Sequence, residues 1–129
     1  MYFVYVLRCV DSSLYCGYTI DVAHRIKAHT GKARGGAKYT KSHPPVSVEA
    51  VWKCPEKGLA LALEKLFKNL TKQDKERLVS NEVSLADLFG DKLGSGQIER
   101  DHSFERNIEA EPEVYEGAGR INERSEKPI

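Results

Sequence analysis

Cysteine is scarce here and shows no pairing pattern. Three occur, Cys9, Cys16 and Cys54, without metal-ligand spacing and without a secretory leader pattern. This excludes a disulfide scaffold and leaves small apolar fillers of strand segments, reduced, in a protein expected to be cytoplasmic. No apolar run approaches the roughly 20 residues of a transmembrane helix, so no membrane partner is expected. The Gly-Lys-Ser/Thr ending of a phosphate-binding P-loop is missing as well. The most telling absence is acid: from Val22 to Val48 there is no Asp or Glu, while Arg25, Lys27, Lys32, Arg34, Lys38 and Lys41 are all basic.

The formal net charge of +1 conceals this asymmetry. Residues 1–94 hold 15 Lys and Arg against 10 Asp and Glu, whereas residues 95–129 hold 5 against 9. A chain of 129 residues suits one domain. We therefore expect a domain over residues 1–90 and an acidic, mostly flexible tail over 91–129, with a linker at Gly94-Ser95-Gly96 and a weak helix near 97–109. The tail could compete with phosphate for the basic surface.

Tyr2 to Cys9 is an almost unbroken aromatic and β-branched run, Leu14 to Thr19 a shorter one, and Asp11-Ser12-Ser13 supplies turn chemistry between them. This predicts a β-hairpin. With those three residues as the loop, Val10 faces Leu14, Leu7 faces Gly17, and Tyr5 and Tyr15 share a face. A loop of even length would separate the two phenols. Gly17, bare between two tyrosines, leaves room for a phosphate to approach the backbone.

Asp21 suits an N-cap and Gly31 a C-cap, bounding a helix whose buried side is marked by Val22, Ala23, Ile26 and Thr30. Arg25 and His29, four apart, share a face beside that stripe. A lone Arg and His at this spacing are by default a solvated basic face. Context lifts them, since two phenols, a guanidinium and an imidazole are groups that hold a phosphate and move a proton.

A third strand is predicted over Val46–Cys54, with Val46, Val48, Ala50 and Trp52 alternating against Ser47, Glu49, Val51 and Lys53. Leu59, Leu63, Leu66, Phe67 and Leu70 then mark a core helix, with Glu64 just outside the stripe and four residues before Lys68. On its own, that pair is a surface Glu-Lys contact worth about 0.2 to 0.5 kcal/mol. Thr71 and Asp74 predict the start of one more helix. The fold class is α+β: a small three-stranded antiparallel sheet flanked by helices.

The order Val4-Tyr5-Val6, Tyr15-Cys16-Gly17, Arg25, His29 and Glu64 resembles the GIY-YIG nuclease domain, in its small single-domain bacterial form, over about residues 1 to 80. The resemblance implies a metal-dependent endonuclease hydrolysing phosphodiester bonds in DNA, in repair or processing of structured DNA. Glu64 is then the one side-chain ligand of a divalent cation, Mg²⁺ or Mn²⁺, and Arg25 stabilises charge on the phosphate. Tyr5 is the first choice for the base that takes the water proton, with Tyr15 and His29 as the other candidates. Gly17, Lys27, Lys32, Arg34, Lys38 and Lys41 form the nucleic-acid track, to which Lys68 and Lys75 are added because small members carry lysines nearby. An asparagine that some relatives place after the glutamate helix has no clear equivalent, Asn81 included. Two alternatives stay open: a nucleic-acid-binding adaptor that keeps the fold without cleaving, and a nuclease directed at RNA.

Overall fold

A computed structural model describes residues 1–31, 35–94 and 97–108. Strand β1 (Tyr2–Cys9) turns back into β2 (Leu14–Thr19), as the aromatic and β-branched pattern predicts. Tyr5 pairs with Gly17 and Leu7 with Tyr15, and a bond between Cys9 and Ser13 extends that register, so the turn falls at residues 10–12 instead of Asp11-Ser12-Ser13. Cys9 N–H donates to the Ser13 carbonyl (2.9 Å), and Ser12 adopts a left-handed φ of 70° to close the turn. Because the loop stays odd in length, the register moves by two and both phenols remain on one face.

Helix α1 (Val22–His29) begins on Asp21, whose carboxylate accepts from His24 N–H at 3.0 Å. It ends before Gly31, where a φ of +82° releases the chain. Val22, Ile26, Ala28 and His29 are its buried residues, whereas Ala23 faces outward. A short helix, α2 (Lys38–Ser42), occupies part of the expected basic loop.

Strand β3 (Pro45–Cys54) pairs antiparallel with β1. Its sequence alternation predicts that Val48 shares a face with Ala50 and Trp52, but the register slips between Val6–Ala50 and Leu7–Val48, leaving Glu49 as a bulged residue. Val48 therefore joins Tyr5, Leu7, Val22, Ile26 and Val51 on one side of the sheet. Ala50, Trp52 and Cys54 pack on the other with Val4, Val6 and Cys16, against Ala60, Leu63 and Phe67 of α3 (Lys57–Lys68) and Leu78 and Val79 of α4 (Lys72–Val79). Helices thus cover both faces. The Arg8 guanidinium reaches α4 through both carboxylate oxygens of Glu76, at 2.5 and 2.7 Å, and Glu49 at 3.2 Å. Arg8 first, and Lys72 after it, hold the Glu76 carboxyl down at about 2.

Among the described residues the sheet has five strands, not three. After α5 (Leu85–Phe89) and a 3₁₀ turn, β4 (Glu99–Arg100) and β5 (Arg106–Asn107) each pair with β3 in place of the helix expected near 97–109. The reason is Arg100. Its side chain lies 5.1 Å from the Trp52 ring and donates to the carbonyls of Val79 (2.8 Å), Glu49 (3.1 Å) and Leu78 (3.3 Å) and to the Glu105 carboxylate (2.9 Å). Phe104 and Ile108 add apolar contact on the Tyr5 side. Residues 97–108, expected within the flexible tail, therefore dock on β3. The acidic stretch 109–129 lies outside the described residues. No described helix is long and apolar enough to cross a membrane.

Candidate active site

The strand order β2-β1-β3-β4 leaves β2 at an edge, and Tyr5, Tyr15, Arg25 and His29 come together beside it. Tyr5 and His29 are buried in contact, with the Tyr5 hydroxyl 2.6 Å from His29 Nε2. Arg25 Nε–H donates to the same hydroxyl oxygen at 3.3 Å, and Arg25 Nη1 donates to the Gly35 carbonyl. Tyr15 packs its ring 6.3 Å from Tyr5 and 5.0 Å from His29. His29 is 4% exposed, which removes the solvated basic face as its explanation.

The donors fix a direction. A guanidinium only donates, so the Tyr5 oxygen accepts from Arg25, while the direction of its 2.6 Å bond with His29 follows the imidazole tautomer. Burial, and secondarily the charge of Arg25, lower the His29 pKa to about 4, so the imidazole is neutral at pH 7. Burial pushes the Tyr5 phenol well above its ordinary value, with the Arg25 hydrogen bond opposing it. At rest, both groups are uncharged.

Gly17 stands across the ladder from Tyr5. The space above it belongs to the Tyr5 ring, since a Cβ at Gly17 would lie 2.6 Å from the Tyr5 oxygen and 2.9 Å from its ring carbon Cζ. The glycine is thus required by the tyrosine, a reason the sequence reading did not reach.

Glu64 comes from α3, on the opposite face, beside buried Cys16. Its carboxylate accepts from Lys68 Nζ at 3.1 Å. Burial works to lower the Lys68 ammonium, but the hydrogen bond and charge of Glu64 outweigh it and leave it above its usual range. Burial raises the Cys16 thiol far above its usual range, and the charge of Glu64 adds to this, so the thiol stays protonated. A groove of about 270 Å³ is lined by Leu14, Tyr15, Cys16, Tyr39, Phe67, Lys68 and Lys75. Among the described residues, no group of three or more His, Cys, Asp or Glu is placed to hold a metal ion. The donor set fits a hard cation taking one carboxylate and completing its shell with water and phosphate oxygens, at a carboxylate that already holds a positive ammonium.

Lys27, Lys38, Lys41 and Lys68 are exposed, Lys68 and Lys75 line the groove, and Lys75 lies over the Phe67 ring at 5.9 Å, while Lys32 and Arg34 lie outside the described residues. Asn81 ends α4 with a φ of 66° and lines a different recess, with Trp52 and Leu78. Two partners were missed. Thr40 accepts or donates at His29 Nδ1 (2.8 Å), and Tyr39 stacks on Tyr15 (5.8 Å between ring centroids) while its hydroxyl donates to Ser13 (2.6 Å). The dipeptide Tyr39-Thr40 in a basic, glycine-rich stretch was the available signal.

Fold and site together define a protein of the GIY-YIG nuclease type. A family model described as the GIY-YIG catalytic domain matches residues 1–77, and the chain belongs to that family. A UPF0213 protein of Halalkalibacterium halodurans is 46% identical over 80 residues, covering 61% of this chain and 82% of that protein. A UPF0213 protein of Natronomonas pharaonis is 41% identical over 82 residues, covering 64% and 94%. The solution NMR structure of the UPF0213 protein from Bacillus halodurans shares 41% identity and covers 70% of this chain and 96% of its own, with a TM-score of 0.42.

Proposed function

We propose that this protein is a divalent-metal-dependent endonuclease that hydrolyses phosphodiester bonds in DNA at the β2 edge, acting in repair or processing of structured DNA in a reducing cytoplasm, where its three buried cysteines stay free. The observation that carries this reading is the buried hydrogen-bond chain that joins Arg25, Tyr5 and His29. A binding module needs basic surface, but it has no need of a buried phenol aimed at a neutral imidazole.

In this reading Arg25 meets the phosphate and stabilises the charge that grows on it during attack. Tyr5 accepts the proton of the attacking water as its own proton passes to His29 Nε2, so the water proton is in effect delivered to the imidazole. The resting pKa values oppose this transfer. An arriving phosphate neutralises Arg25, and its negative charge favours the imidazolium, removing one of the two causes that depress His29. Tyr15 borders both rings and keeps water out of their contact. Glu64 would hold a cation such as Mg²⁺ or Mn²⁺, which supplies positive charge to the phosphate and to the leaving 3′-oxygen. Lys27, Lys38, Lys41, Lys68 and Lys75, with Lys32 and Arg34, supply backbone contacts, and Gly17 serves by leaving room for the Tyr5 ring rather than for the phosphate.

The test is nicking of supercoiled, single-stranded and branched DNA, and of matched RNA, with Mg²⁺ or Mn²⁺. Cleavage of DNA by the wild type and its loss in Tyr5→Phe are expected. Cleavage of RNA alone would redirect the substrate, and binding without cleavage of either polymer would make the protein an adaptor.

A further inference from the structure

His29 has two ring nitrogens, and only one of its neutral tautomers lets Tyr5 give up its proton. We propose that Thr40 of α2 is a positioning residue that fixes the Nδ1–H tautomer of His29, so that Nε2 remains the acceptor for Tyr5.

The argument follows hydrogen atoms along one chain. The Tyr5 oxygen accepts from Arg25, and among the described residues His29 Nε2 is the one acceptor bonded to that hydroxyl, so the Tyr5 hydrogen goes there. A neutral imidazole then carries its hydrogen on Nδ1, and the atom facing Nδ1 is Thr40 Oγ1 at 2.8 Å. That oxygen must accept, which leaves the Thr40 hydrogen for the Ala37 carbonyl, 3.0 Å away. The hydrogens on Arg25 Nε, the Tyr5 hydroxyl, His29 Nδ1 and the Thr40 hydroxyl thereby each have one acceptor. The opposite tautomer would aim an Nε2–H at an oxygen already taking Arg25 and would leave the Tyr5 hydrogen without its partner, at a cost of about 1 to 3 kcal/mol for a buried polar group.

Thr40 can set the tautomer because it is itself held. It is 2% exposed. Its neighbour Tyr39 is stacked between Tyr15 and His43, the latter at 4.0 Å and 5° between rings, and is bonded to Ser13 of the hairpin loop, while His43 lies 3.7 Å from Asp11 of the same loop. Helix α2 is therefore fastened to the β1–β2 hairpin, and Thr40 is presented to His29 from a fixed frame. When the Tyr5 proton moves to Nε2, the imidazolium keeps its Nδ1–H on Thr40, so no bond in this part of the chain has to be remade.

The catalytic consequence rests on the cleavage reading above, but the tautomer does not, and the experiment separates them. Long-range ¹H–¹⁵N NMR on histidine-labelled protein, assigned by His29→Gln, reports which ring nitrogen carries the hydrogen. The wild type and Thr40→Ser should show His29 protonated at Nδ1, whereas Thr40→Val should move it toward the Nε2–H form. In nicking assays Thr40→Val should lower kcat by about tenfold or more with substrate affinity changed less than twofold, and Thr40→Ser should recover most of the rate. A wild-type His29 protonated at Nε2 overturns the proposal, as does a folded Thr40→Val that keeps both the Nδ1–H signal and the rate. If the wild type cleaves no substrate, the nuclease reading falls and the NMR signal alone decides the role of Thr40.

Discussion

Gly17 faces Tyr5 across the hairpin so closely that a single added carbon would sit 2.6 Å from the phenolic oxygen. That oxygen is already held between His29 and Arg25, so the ring has no undisturbed position to move to. Gly17→Ala should displace Tyr5, cut nicking by about 10² or more, and destabilise the fold by about 1 to 3 kcal/mol through overpacking. Chemical denaturation and nicking measured on one preparation check both, and a variant with wild-type activity would show that Tyr5 yields without consequence.

Glu64→Ala should abolish cleavage and shift stability by less than about 0.5 kcal/mol, because it removes one carboxylate and one i,i+4 ion pair at the surface without opening the core. Chelation of the metal should have the same effect on the wild type. Normal nicking by the variant at equal metal concentration would remove Glu64 from the reaction.

Arg25→Lys should reduce the cleavage rate by about 10² or more while DNA affinity falls severalfold at most, since an ammonium lacks the planar fork that meets a phosphate and Tyr5 together. Single-turnover rates beside filter binding make the comparison. Equal losses in the two would reduce Arg25 to an ordinary phosphate contact.

Acid should weaken the fold through His29. Its pKa falls from an ordinary 6.5 to about 4 on folding, so between those values the unfolded chain binds the extra proton and the native one does not. Stability attributable to His29 is fully present above pH 6.5 and is lost as pH falls toward 4, by about 3 kcal/mol in all. Urea unfolding from pH 7 to pH 4 should show this slope, reduced in His29→Gln. An equal slope in the variant would assign it to other groups.

Arg100→Ala should cost about 2 to 4 kcal/mol, because it strips the last carbonyls of α4 and the Glu49 carbonyl of a charged donor and uncovers Trp52. Thermal melting checks it. A change below about 0.5 kcal/mol would mean that the strands after residue 97 add little to the domain.

Much of this was legible in the chain because local chemistry dictated it. Asp21 and Thr71 cap the helices they were expected to cap, and α1 stops where Gly31 permits. Tyr5, Tyr15, Arg25 and His29 meet because two strands joined by an odd loop and a helix following directly leave them little choice. The rest depended on contacts distant in sequence. Nothing in Val46–Cys54 announces that Glu49 will bulge, since the slip is decided by pairing with β1. Arg100 reads as one charge in an acidic tail until α4 offers it carbonyls. Thr40 is a threonine in a loop until His29 arrives beside it, and Gly17 explains itself only once the Tyr5 ring is in place.

The Gly35 carbonyl on Arg25 gives the site a threshold. A guanidinium offers two forks, Nε with Nη2 and Nη1 with Nη2, and here each has one member committed, to Tyr5 or to Gly35. A phosphate seeking a two-point grip has to win an exchange, and what it gains is only the difference between its bonds and the one it displaces. Small free anions gain little from such a trade. On the proposed nuclease reading, a polymer held at several lysines at once would offset that exchange, and the contact that occupies Arg25 at rest would favour long polyanions over short ones before any chemistry begins.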